Sequence, residues 1–115
     1  MKLAIIGSRT FNDYNLLWRA VHSHFPGHKI ELIISGGASG ADALAEKLAK
    51  QTKIPLKVFP ADWKTHGKAA GPIRNKQIIG ACDEAICFHD GKSRGSLNVI
   101  DWARKLKKNI FIVYF

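Results

Sequence analysis

The sequence predicts an α/β fold: a Rossmann-like three-layer sandwich with a mainly parallel five-stranded sheet. Three observations carry this. Five short apolar runs, rich in β-branched and aromatic residues, are nearly continuous rather than alternating, which is how strands buried on both faces read. Amphipathic helical patterns separate them, and strands alternating with helices give right-handed βαβ crossovers. Small-residue loops follow several of the runs, at the strand ends where open α/β sheets bind ligands.

The apolar runs cover residues 3–6, 30–34, 56–59, 85–88 and 110–114. Between the first two, residues 13–25 carry Leu16, Leu17, Ala20 and Val21 on one stripe, with Asn12 or Asp13 as the N-cap. Residues 40–50 place Ala41, Leu44, Ala45, Leu48 and Ala49 at the spacing of a single helix face. Pro72 suits the first turn of a helix running to residue 82, and Ser96 the cap of a last helix holding Leu97, Ile100 and Ala103. Residues 60–71 read as the longest irregular stretch, a length more often functional than idle. With 115 residues and no repeat or linker, residues 1–115 are expected to form a single domain.

The formal net charge is +9, which favours an anionic partner. Much of it lies in Arg104, Lys105, Lys107 and Lys108, which read first as a solvated helix end. Cys82 and Cys87 sit in apolar surroundings, so packed, reduced thiols in a cytoplasmic protein are expected. No run suggests an export signal or a membrane partner. His22, His24, His28, His66 and His89 lack paired ligand spacing, so no metal is expected, and no cofactor is called for.

Four segments hold residues suited to anion chemistry. The first run ends in Gly7, Ser8 and Arg9, where a glycine lets backbone approach a ligand and Arg9 reaches past the sheet edge. The second ends in Ser35, Gly36, Gly37, Ala38, Ser39, Gly40, Ala41 and Asp42. Backbone N–H groups opening a helix there would cradle a phosphate. A tight turn with close helix–sheet packing would use the same residues. Asp42 fits either the helix dipole or a ribose hydroxyl. The third segment holds Trp63, His66, Lys68, Arg74 and Asn75. Trp63 suits base stacking or loop anchoring, and Arg74 in a first helical turn is electrostatically unwelcome without an anion. The fourth, with Gly91, Ser93, Gly95 and Ser96, is another small-residue loop feeding a helix, as a plain connection would also be.

Taken in order, these segments resemble the SLOG superfamily, most closely its YspA-like branch. The matching residues are Gly7-Ser8-Arg9, Ser35-Gly36-Gly37-Ala38 with Gly40-Ala41-Asp42, Asp62-Trp63, His66 to Pro72 with Arg74-Asn75, and Gly91, Ser93, Gly95-Ser96. The resemblance implies a Rossmann-like fold whose strand-end loops bind a nucleotide or nucleotide-derived small molecule. Residues 74–79 and 94–97 are also similar to motifs of the DNA-processing protein A family, which implies single-stranded nucleic acid as an alternative partner. Against that alternative, aromatic residues are not interleaved with the basic ones along the chain. The related cytokinin-activating phosphoribohydrolases imply a third reading, cleavage of a base from a nucleoside monophosphate. Val99 stands where their catalytic Glu would fall, so catalysis is disfavoured, with Asp42, Asp62 or Asp90 as the carboxylates that could replace it. Such relatives often self-associate, so a homo-oligomer is compatible with the sequence.

Overall fold

Five strands form: β1 (Lys2–Gly7), β2 (Leu32–Ser35), β3 (Leu56–Val58), β4 (Glu84–His89) and β5 (Asn109–Tyr114). They come from a computed structural model that describes residues 1–27 and 29–115; His28 lies outside the described residues. The strands make one parallel sheet in the order β3-β2-β1-β4-β5. The second strand starts later than its apolar run, because Leu32 pairs with Lys2 where β1 itself begins. Ile30 packs against the core from outside the ladder.

Why the strands are apolar throughout is plain from their two faces. Side chains alternate, so Leu3, Ile5, Ile33, Ile86 and Phe88 enter one core while Ala4, Ile6, Ile34, Ala85 and Cys87 enter the other. Helices α1 (Tyr14–His24) and α2 (Ala41–Thr52) cover the first face through Leu17, Ala20, Val21, Ala45, Leu48 and Ala49. A short helix, α3 (Trp63–His66), precedes α4 (Ala70–Ala81), which together with α5 (Arg94–Lys105) covers the second face through Ile78, Ile79, Val99 and Ala103. Each fully buried large side chain contributes about 1.5–3 kcal/mol, so the central strands anchor the sheet.

Three sequence expectations are corrected. Residues 60–71 are not irregular: the Asp62 carboxylate accepts the Thr65 N–H at 3.1 Å and caps α3, a 3-10 turn (Gly67–Ala69) follows, and α4 begins at Ala70. Arg74 therefore lies in the second turn of α4, beyond the reach of the N-terminal dipole argument. The last helix is capped by Ser93, whose hydroxyl accepts the Ser96 N–H, so Ser96 moves inside the helix. Asp13, not Asn12, caps α1 by accepting the Leu16 N–H at 3.0 Å.

Both cysteines are free and buried, and burial pushes each thiol up to about 11. Among the described residues, no helix is long and apolar enough to cross a membrane and no cluster of His, Cys, Asp or Glu could hold a metal ion.

Candidate functional site

The strand order makes β1 and β4 neighbours whose following connections leave in opposite directions, and such a switch point opens a crevice at the strands' carboxyl ends. A cavity of about 520 Å³ lies there, walled by the loops after β1 and β4 and by residues of α3, α4 and α5. A second cavity of about 330 Å³ lies beside it, between residues 36–39 and residues 60–63.

Ser8 holds the crevice together. Its N–H donates to the Phe88 carbonyl (2.8 Å), its hydroxyl accepts the Asp90 N–H (3.2 Å), and its carbonyl accepts the Phe11 and Ala41 N–H groups. Phe11, held by the Ser8 carbonyl, stacks on Phe88 with ring centroids 4.6 Å apart in the core covered by α1 and α2. Arg9 is exposed and lines both cavities.

The loop after β2 turned out to be closed on itself. The Ala38 N–H donates to Asp42 Oδ2 (3.1 Å), the Gly37 N–H to the Ser35 hydroxyl, the Ser35 hydroxyl to the Asp42 carbonyl, and the Ala41 N–H to the Ser8 carbonyl. Three of the donors that would have cradled a phosphate, the Gly37, Ala38 and Ala41 N–H groups, are thus engaged within the protein, Ala38 by the chain's own carboxylate. Burial raises the Asp42 pKa, opposed by these N–H groups and by the Arg74 guanidinium. Gly40 has φ +74°, and a Cβ there would meet the Ser8 and Arg9 carbonyls at about 2.5 Å, so only glycine lets the start of α2 approach the β1 loop.

Arg74 crosses from α4 to that loop. Its Nη1 donates to the Gly36 carbonyl (2.8 Å) and its Nε to Asn75 Oδ1 (2.9 Å), while Asn75 Nδ2 donates to Asn98 Oδ1 (3.0 Å) on α5. The guanidinium is thereby positioned before any ligand arrives. Desolvation lowers its pKa first of all, with Asp42 acting against and Arg9 acting along with that shift. Gly36 provides the seat, because a Cβ there would lie 2.6 Å from Nη1.

The loop after β4 is built differently. Asp90 Oδ1 accepts the Lys92 and Ser93 N–H groups at 2.8 Å, fixing the turn, and these bonds hold its carboxyl below the usual range. Ser96 is 3% exposed and lies on the cavity wall, where its hydroxyl has the Cys87 thiol beside it and no nitrogen or oxygen partner among the described residues. A thiol is a weak hydrogen-bonding partner, so this hydroxyl, in the first turn of α5, keeps capacity for a stronger one.

Of the residues expected from sequence, the larger cavity brings together Gly7, Ser8, Arg9, Ala38, Asp42, Trp63, Arg74, Asn75, Ser93, Gly95 and Ser96, and the smaller adds Gly36 and Gly37. Ser35, Gly40, His66 and Gly91 line neither. Ser35 and Gly40 shape the loop from behind, and His66 and Gly91 face solvent. The sequence did not single out Arg94 and Asn98, which line the wall together with Asp90, there named only as a carboxylate that could replace the missing Glu. Arg94 was the detectable one, as a cation beside the small-residue loop. Tertiary structure also removes the objection that aromatic and basic residues are not interleaved: Trp63, 52% exposed, shares the cavity wall with Arg9, Lys68, Arg74 and Arg94.

A family model described as the YspA, cpYpsA-related SLOG family matches residues 1–66. The chain belongs to that family. Consistent with membership, it is 31% identical over 111 residues to the gene 61 protein of Mycobacterium phage D29, covering 90% of this chain and 89% of that protein. The SLOG fold is seen again in DNA processing protein A from Streptococcus pneumoniae, with a TM-score of 0.75 and 21% identity over 96% of this chain. It recurs in the Helicobacter pylori protein of that name, described for its single-stranded DNA binding mode, with a TM-score of 0.61 and 23% identity over 97% of this chain. This chain spans 49% and 64% of those two structures.

Proposed function

We propose that this SLOG protein binds single-stranded nucleic acid, seating a phosphate-bearing nucleotide unit in the cleft between the β1 and β4 loops. The observation that carries this is Trp63, an exposed indole on a wall with four cations, Arg9, Lys68, Arg74 and Arg94, against two carboxylates, Asp42 and Asp90. An aromatic face stacks on any base, and guanidinium groups grip phosphate. The net charge of +9 supports the same reading, as does the single-stranded DNA binding described for the Helicobacter pylori neighbour. The first turn of α5, where the Ser96 hydroxyl has only the weak Cys87 thiol beside it, offers the phosphate a seat.

A free nucleotide or nucleotide-derived ligand is the second reading, favoured by a cavity of about 520 Å³, a usual size for a small-molecule site. Base hydrolysis is not favoured by Val99, which presents hydrocarbon to the cavity; of the carboxylates that could replace the missing Glu, Asp42 and Asp90 line the cavity, while Asp62 caps α3 and lines neither cavity.

Fluorescence anisotropy with a labelled oligothymidylate tests the proposal. Binding at low salt is expected, weakening with log salt by a slope of about −0.7 for each phosphate contact. Binding equal to that of a duplex of the same length, or none at low salt, would overturn it. Competition by mononucleotides with no oligonucleotide binding would favour the second reading.

A further inference from the structure

The two cavities at the sheet edge are not independent. They share four wall residues, Arg9, Ala38, Trp63 and Arg74. Volumes of about 520 and 330 Å³ both fall within the range of small-molecule sites, about 300–1,000 Å³. The smaller lobe is kept open by the lack of bulk at Gly36, Gly37, Ala38, Ser39 and Ala61.

We propose that the cleft is a two-compartment site for two successive nucleotide units, with Arg9 and Arg74 on the phosphate that joins them. The proposal rests on the reading that the cleft binds nucleotide units at all, and adds how many and in what arrangement.

Charge on the shared wall points to an anion there. The Arg74 guanidinium is fixed by the Gly36 carbonyl and Asn75 Oδ1, which leaves Nη2 without a hydrogen bond among the described residues. Arg9 has neither hydrogen bond nor ion pair among them, and its charge acts on Arg74. The buried carboxylate facing the pair, Asp42, already accepts the Ala38 N–H. Two guanidinium groups beside one carboxylate leave one positive charge in excess, and like charges held together favour a bound anion. A phosphate at this point has one compartment on either side, which is the geometry of an internal phosphodiester. Trp63, half-exposed and common to both lobes, can stack on a base from either unit. The same chemistry is offered by a free dinucleotide and by an internal step of a longer strand.

The test is a calorimetric series on the intact chain with thymidine 5′-monophosphate, thymidine 3′,5′-bisphosphate, the dinucleotide pTpT and an oligothymidylate of eight units. The bisphosphate carries the joining phosphate without the second nucleoside. It should bind about tenfold tighter than the monophosphate, and Arg9→Ala should erase that gain. The dinucleotide should gain about tenfold more from its second nucleoside. Ala61→Trp, which fills the smaller lobe, should reduce the dinucleotide to the affinity of the bisphosphate. An octamer no tighter than the dinucleotide would mark the free dinucleotide as sufficient, and a tighter octamer would mark a strand; both outcomes support two compartments. A dinucleotide no tighter than the bisphosphate on the unmodified chain would overturn the proposal while leaving single-unit binding intact. Failure of all four ligands to bind at low salt would remove both readings. The ligand series needs no variant, so misfolding of Ala61→Trp would leave that outcome decisive.

Discussion

Two small-residue loops feed helices at the same sheet edge, yet they are closed by different groups. In the loop from β2 to α2, Ser35, Asp42 and the Ser8 carbonyl accept the Gly37, Ala38 and Ala41 N–H groups, and Gly40 lets it lie against the β1 loop. The loop from β4 to α5 is rigid in its turn, through Asp90, and leads to a buried hydroxyl whose one neighbour is the Cys87 thiol, a weak partner. Glycine content therefore does not rank anion sites. The loop richer in glycine closes on a carboxylate from its own helix, while the other, whose N–H groups from Asp90 to Ser93 are equally engaged, keeps a buried hydroxyl beside a thiol at the cavity wall.

Substitutions can break this contrast. The largest effect is expected from Gly40→Ala, which forces a left-handed residue with a Cβ against two carbonyls. A loss of about 3 kcal/mol in chemical denaturation is expected; a loss below about 0.5 kcal/mol would mean that the β2–α2 loop is not the rigid partner claimed. Next, Arg74→Ala should weaken oligonucleotide binding on the order of 100-fold in anisotropy, since a preset charge-assisted contact is lost. Its stability should fall by only about 1–2 kcal/mol, from the unpaired Gly36 carbonyl. Ser96→Ala should differ from Gly40→Ala: stability nearly held, because the hydroxyl it removes has only a weak thiol contact, and binding reduced about tenfold. Equal binding by Ser96→Ala would move the phosphate away from α5.

A pH titration sharpens the same contrast. The folded Asp42 carboxyl has a raised pKa, first through burial, so the native state holds its proton where the unfolded chain has released it. Stability from this group therefore falls as pH rises from the ordinary Asp value to the raised one, and is level above. Glu31, Asp62, Asp83 and Asp90 are held low, each first of all by a hydrogen bond, so their opposing contributions lie below their ordinary values. Asp42→Asn should flatten the fall seen in urea unfolding just above that range; an unchanged slope would show that the carboxylate is not desolvated. The smallest effect concerns the thiols: Cys82 and Cys87, pushed up to about 11, should resist a thiol reagent at neutral pH until the protein unfolds.

Much of the fold was legible because its signals are local. Continuous apolar runs announced strands buried twice, and residues 41, 44, 45, 48 and 49 announced one helix face. Short helix α3 was missed because four residues carry too little periodicity, although the Asp62–Thr65 cap was readable. In the cleft, Arg9, Trp63 and Arg74 were found from residue type and position, but the reason offered for Arg74 was wrong. Its partner is a carbonyl 38 residues away, not the dipole of its own helix.

What the sequence determined alone was the parallel α/β architecture and the cationic, glycine-containing strand ends, since burial pattern and turn chemistry act over a few residues. Only the tertiary structure decided which groups close each loop, and that Trp63 stands among four cations at the wall of two adjoining cavities. Those properties depend on hydrogen bonds and charges meeting across distant parts of the chain, where local pattern carries no information.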